Sequence, residues 1–155
     1  MNQTDILVHW SDDLKTGIQQ IDEQHQTMAR ITNRIYQAIK QKQDQAYIDD
    51  LMGQLANYTR IHFSVEESLM RSLNYPDYEA HKKSHEALLD RCLEIKSNVQ
   101  CGKMTLLELL EFLGPWFAKH IQTADHGYSE HFHKTGATEA LKRMDWMSNL
   151  WQWHD

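Results

Sequence analysis

Glycine and proline are scarce in this chain: six and two among 155 residues. A sandwich or barrel of many short strands draws on both for its turns, so the scarcity favours long helices with few connections. No apolar run approaches the ~20 residues that a membrane-spanning helix requires. The opening MNQTDILVHW lacks the basic stretch followed by an apolar one that marks a secretion signal. Cysteine is limited to Cys92 and Cys101, nine residues apart near the end of one expected helix. That spacing is poor for an intrahelical bridge, and two reduced thiols in a cytoplasmic protein are expected. Basic clusters are absent beyond short pairs such as Lys82–Lys83, and the net charge is -6, so no nucleic-acid partner is expected.

What remains is a chain of one-domain size with 41% hydrophobic residues. Its apolar residues recur in steps of three and four, the helical period. Ile21, His25, Met28, Thr32, Ile35 and Ile39 define a helix over about 22–41, with Asp22 able to cap it. Ile48, Leu51, Leu55, His62, Glu66, Leu69 and Leu73 define a second over about 45–73. His81, His85, Leu88, Cys92, Ile95 and Val99 define a third over about 77–100, with Pro76 near its start. A fourth opens at Thr105–Leu106 and runs through Leu109, Leu113, Phe117, His120 and Ala124, with Pro115 expected to bend it. Four such helices with short turns predict an all-α, up-down-up-down bundle with an irregular N-terminal arm.

Residues 1–130 are assigned to the bundle and 131–155 to a C-terminal extension. Gly127 and Gly136 frame a polar stretch, and Ala137, Leu141, Met144, Ser148 and Trp151 mark one face of a short fifth helix. Trp146, Trp151 and Trp153 make that tail too apolar to hang free in solvent. Docking on its own bundle, or contact with a second subunit or another protein, is expected ahead of a membrane surface. Only Lys142 and Arg143 are basic from 135 onward.

The chain is rich in one residue type: it has ten histidines. His62 and Glu66 are four apart, as are His81 and His85, so each pair shares a helix face. His25 lies near the start of the first helix, His62 and Glu66 toward the end of the second. His81 and His85 lie near the start of the third, and His120 and Asp125 near the end of the fourth. In an antiparallel bundle all seven meet at one end, on stripes that are otherwise apolar. His120 and Asp125, five apart, are offset by about 140° on a regular helix. Asp125 must lean back or the helix must widen there. Buried ionised carboxylates are costly unless paired or metal-bound. Imidazole is a common metal ligand and a carboxylate can bridge two ions. The set fits two metal ions, three imidazoles on one and two on the other, with a position left open for a small molecule. His9, His126, His131, His133 and His154 fall outside the stripes and are expected at the surface or in the tail.

These residues sit in four segments: GIQQIDEQH at 17–25, HFSVEESLM at 62–70, YPDYEAHKKSH at 75–85 and HIQTAD at 120–125. The pattern resembles the hemerythrin family in its single-domain bacterial form, across about 10–128. Leu88 stands where the family often has phenylalanine. The resemblance implies two Fe ions with an oxo or hydroxo bridge. It assigns His81, His85 and His120 to one iron, His25 and His62 to the iron with the open position, and Glu66 and Asp125 to both. It also implies reversible binding of dioxygen, for storage, delivery or sensing, with no catalytic residues. Trp116, Phe117 and Ile121, near His120, are the expected walls of the oxygen pocket, with Met28 and Phe63 as possible contributors. A diiron peroxidase or nitric-oxide reductase would use the same centre, and an oxygen- or redox-dependent signalling module is a further alternative. Diiron oxygenases present E-x-x-H pairs inside the bundle. Here the stripes lack such a pair, and Glu130–His133 lies outside them.

Overall fold

A computed structural model of the chain describes residues 6–135. Helices α1 (Gln19–Lys40), α2 (Gln45–Ser72), α3 (Tyr78–Gln100) and α4 (Leu106–His120) form the up-down-up-down bundle. There is no strand among the described residues. Residues 6–18 form the N-terminal arm, with a single 3-10 turn at Asp12–Leu14. The expected helix over 137–151 and its tryptophans lie outside the described residues.

Local chemistry sets the helix ends. The Asp44 carboxylate accepts from Ala46 N–H at the start of α2. At α4, Thr105 and Glu108 cap each other's backbone N–H groups reciprocally. Asp22 does not begin α1; the helix starts three residues earlier, at Gln19. Its carboxylate instead reaches back to Thr16 N–H, the Thr16 hydroxyl and Gly17 N–H, which ties the arm to the helix. Further out, the Asn33 side chain accepts from Leu7 and Val8 N–H and donates to the Val8 carbonyl. One asparagine on α1 thus straps the arm along the bundle.

After His120 the chain makes a π-turn, Ile121–Asp125, and continues as α5 (His126–Thr135). The polar stretch that Gly127 and Gly136 frame is helical as far as Thr135. Gly127 serves close packing there: a Cβ at this position would stand 2.7 Å from the Tyr75 hydroxyl. Tyr128 and Phe132, both fully buried, then pack into the bundle with Ile18, Ile21, Val65, Leu69 and Met70. A second apolar cluster gathers Met28, Ile31, Ile35, Leu51, Leu55 and Leu110 with their neighbours. No helix of the described residues is long and apolar enough to cross a membrane.

Candidate metal centre

Seven polar side chains lie in neither apolar cluster, yet all are buried: His25, His62, Glu66, His81, His85, His120 and Asp125. His25 comes from α1, His62 and Glu66 from α2, His81 and His85 from α3, and His120 from the end of α4. Asp125 closes the π-turn. There the His126 N–H bonds back five residues to the Ile121 carbonyl. This wider turn brings the residue five positions after His120 back onto the face that His120 occupies. Of the two ways expected for Asp125 to rejoin His120, the locally widened helix is the one present.

The seven divide into two groups whose donor atoms lie within 4.8 Å of one another: Glu66, His81, His85, His120 and Asp125, and His25, His62, Glu66 and Asp125. The carboxylates belong to both. Glu66 Oε1 is 3.3 Å from His62 Nε2 and 3.6 Å from His25 Nε2, while Oε2 is 3.3 Å from His85 Nε2 and 3.8 Å from His81 Nε2. Asp125 Oδ2 is 3.1 Å from His25 Nε2, while Oδ1 is 3.1 Å from the Nε2 atoms of both His81 and His120. Each carboxylate turns one oxygen to the two-histidine group and the other to the three-histidine group.

The residues fit a pair of metal ions by their unmet bonding. Glu66 Oε2 and both Asp125 oxygens are buried without a hydrogen-bond partner, a costly state for anions unless a cation takes the lone pairs. His85 Nε2 lies 3.1 Å from His81 Nε2 and 3.2 Å from His120 Nε2. Donors at right angles on one ion, with bonds of about 2.1 Å, stand about 3 Å apart.

In the metal-free chain the two carboxylates hold His25 and His81 charged. Burial opposes the imidazolium of His25 and of His81, but Asp125 and Glu66 outweigh it and hold each pKa up to about 9. Burial wins at His62, which is pushed down. Burial also opposes both carboxylates, yet the surrounding imidazoles hold Glu66 and Asp125 well below the usual carboxylate range. The raised histidines contribute stability that is complete below their ordinary 6.5 and is lost as pH rises through about 9. The melting temperature of chelator-treated protein should therefore fall between those values. The loaded protein, with neutral imidazoles on metal, should show no such fall. A flat profile for the metal-free chain would contradict the charge pairing.

Several groups support the site that its spacing did not reveal. The Tyr128 hydroxyl, fully buried, donates to Glu66 Oε1 at 2.8 Å. Its own ionisation is pushed well up by burial and by the Glu66 charge. Gln24 Oε1 lies 2.7 Å from His62 Nδ1, and Glu67 Oε1 lies 3.0 Å from His85 Nδ1. Trp10, on the arm, approaches the His25 ring with centroids 6.4 Å apart. Tyr128 follows Asp125 by three and could have been found by helical spacing. Gln24 and Glu67 adjoin ligand-stripe residues, and no periodicity distinguishes them from solvated neighbours.

The expected pocket residues separate. Trp116 stacks on His120, in the three-histidine group, at 4.5 Å and 13°. Phe117 meets His25 edge-on, in the two-histidine group, at 5.9 Å. Ile121 is 1% exposed. Phe63 lies flat on His85 at 3.7 Å, and Met28 belongs to the second apolar cluster. Surface depressions of ≈ 340 and ≈ 300 Å³ flank the arm, and neither is lined by any of the seven polar residues. His9 is exposed, as expected. His131 and His133 contact the carbonyls of Leu73 and Thr16, and His126 keeps a buried Nε2 without a hydrogen-bond partner.

A four-helix bundle enclosing a buried histidine cluster in which two carboxylates belong to both groups defines a non-heme dimetal protein of the bundle type. The family model for the hemerythrin HHE cation-binding domain matches residues 16–131, and the chain belongs to the hemerythrin family. It is 39% identical over 119 residues to a bacteriohemerythrin of Pseudomonas aeruginosa, covering 77% of each chain. It is 34% identical over 124 residues to one of Stenotrophomonas maltophilia, covering 80% of each. A bacteriohemerythrin of Clostridium acetobutylicum is 28% identical over 127 residues, covering 77% of this chain and 96% of its own.

Proposed function

We propose that this chain binds dioxygen reversibly at a non-heme diiron centre, as a carrier for storage, delivery or sensing. In this reading His81, His85 and His120 hold one iron, His25 and His62 hold the other, and Glu66 and Asp125 bridge them. The observation that carries it is the division of each carboxylate's two oxygens between the two histidine groups. An iron pair held by these residues would supply the electrons for reversible dioxygen binding.

The protein's part is to fix the donors and keep water out. Phe63 and Trp116 lie flat on His85 and His120, so two of the three imidazoles on that side have aromatic walls. On the two-histidine side, where the open position would lie, Phe117 and Trp10 approach His25. Ile121, one residue after His120, is buried in the interior. Truncation of Trp116, Phe117 or Ile121 to alanine should admit water and speed loss of the oxygen-bound spectrum several-fold. Decay at the parent rate in all three would remove them as guards. A donor set with five imidazoles and only two carboxylates favours carriage over the oxidising chemistry of carboxylate-rich diiron enzymes.

Cys92 and Cys101 are free, which supports a cytoplasmic setting. The bundle of residues 1–130 is the oxygen-binding domain in this reading, and the extension of 131–155 is the place for self-association or a protein partner. Nucleic acid and membrane are not proposed as partners, in keeping with the acidic net charge of -6. Oxygen uptake tests the function: ferrous-loaded protein should take up one dioxygen per iron pair and release it when oxygen is withdrawn. Irreversible consumption would overturn the carrier reading.

A further inference from the structure

The two histidine groups differ in what stands behind them. Every imidazole at the centre presents Nε2 to the carboxylates. A ligating imidazole therefore carries its proton on Nδ1, and the partner of that proton tunes how strongly Nε2 donates. His62 Nδ1–H faces the Gln24 amide oxygen at 2.7 Å, a neutral acceptor. His25 and His81 Nδ1 have no hydrogen-bond partner. His85 Nδ1–H alone among these faces a carboxylate, Glu67 Oε1 at 3.0 Å. Phe63, stacked on the His85 ring at 3.7 Å and 6°, fixes the orientation in which that bond forms. Glu67 itself is 21% exposed at its side chain and so stays partly solvated.

We propose that Glu67 is a positioning residue that makes His85 a stronger donor than His25, His62 or His81, and so makes the two metal positions unequal. A carboxylate on Nδ1–H draws the proton toward itself and leaves Nε2 more electron-rich; an amide does this much less. The three-histidine position then binds metal more tightly, and an iron held there favours the ferric state more than its neighbour does. The inequality adds to the difference in histidine number and arises from α2, one residue beyond the bridging Glu66. This inference rests on the diiron reading.

Three measurements on the full chain test it. In metal-free protein, the His85 Nδ1 proton should resonate far downfield in a ¹⁵N-resolved spectrum, and Glu67→Gln should move it upfield. After anaerobic loading, Glu67→Gln should weaken ferrous binding at one of the two positions by about 10-fold. It should also raise the reduction potential of one iron. Glu79→Gln, an exposed charge elsewhere on the surface, should leave all three readings unchanged. The exchanged variant Gln24→Glu/Glu67→Gln should lower the potential of the other iron instead. Parent-like potential and affinity in Glu67→Gln, with the parent chain holding an iron pair, overturn the role of Glu67 while leaving the diiron reading intact. A parent chain that takes up no iron pair overturns both.

Discussion

Replacement of Glu66 by alanine is expected to abolish tight binding of the iron pair. The carboxylate is fully buried and reaches both histidine groups, with Oε1 toward His62 and His25 and Oε2 toward His85 and His81. Its removal takes one anion from the centre and leaves five imidazoles with Asp125 alone to offset the metal charge. It also strands the Tyr128 hydroxyl, whose acceptor is Glu66 Oε1. A buried donor left unpaired costs about 1–3 kcal/mol, so the metal-free variant should also melt lower. Glu66→Gln separates the two effects: it retains an acceptor for Tyr128 but not the charge, and should recover part of the stability without the iron. Metal analysis after desalting is the readout. A variant that keeps both irons and an unchanged visible spectrum rules out bridging by Glu66.

Replacement of His25 by alanine should remove one iron and spare the other. His25 serves only the two-histidine group, whereas His85 serves only the group of three. Losing one imidazole of two leaves an ion held by His62 and the shared carboxylates. Losing one of three leaves two imidazoles and the same carboxylates. The His25 variant should therefore retain about one iron per chain and lose oxygen binding, since the open position lies on the iron that departs. Its core should also loosen, because His25 is 1% exposed and packs against Phe117 and His62. Equal loss of both irons, or of neither, would count against the division of donors.

The bundle and the seven-residue cluster were legible in the sequence because both depend on helical spacing. Residues three and four apart must share a face, and short connections must return the chain antiparallel. Even the awkward H-x-x-x-x-D interval carried information: Asp125 can join His120 only by leaning back or through a widened helix, and the π-turn at Ile121–Asp125 is the second of these. Helix α5 was hidden for a physical reason. Gly127 has the look of a loop residue, but its role is to let the Tyr75 hydroxyl approach the helix backbone. Contacts between helices were the other gap. Trp116 and Phe117 are neighbours within a turn of His120, yet one covers His120 and the other meets His25. Adjacent positions on a helix point about 100° apart, and only the placement of the other helices decides what each one meets. Gln24 and Glu67 were unreadable on the same ground, since their partners His62 and His85 stand on different helices.

Anomalous diffraction at the iron edge, from crystals of anaerobically loaded protein, tests the central claim most directly. The account predicts two iron peaks per chain, one beside His81, His85 and His120 and one beside His25 and His62, with Glu66 and Asp125 each contacting both. A single peak, or two peaks with either carboxylate bound to only one of them, would contradict it.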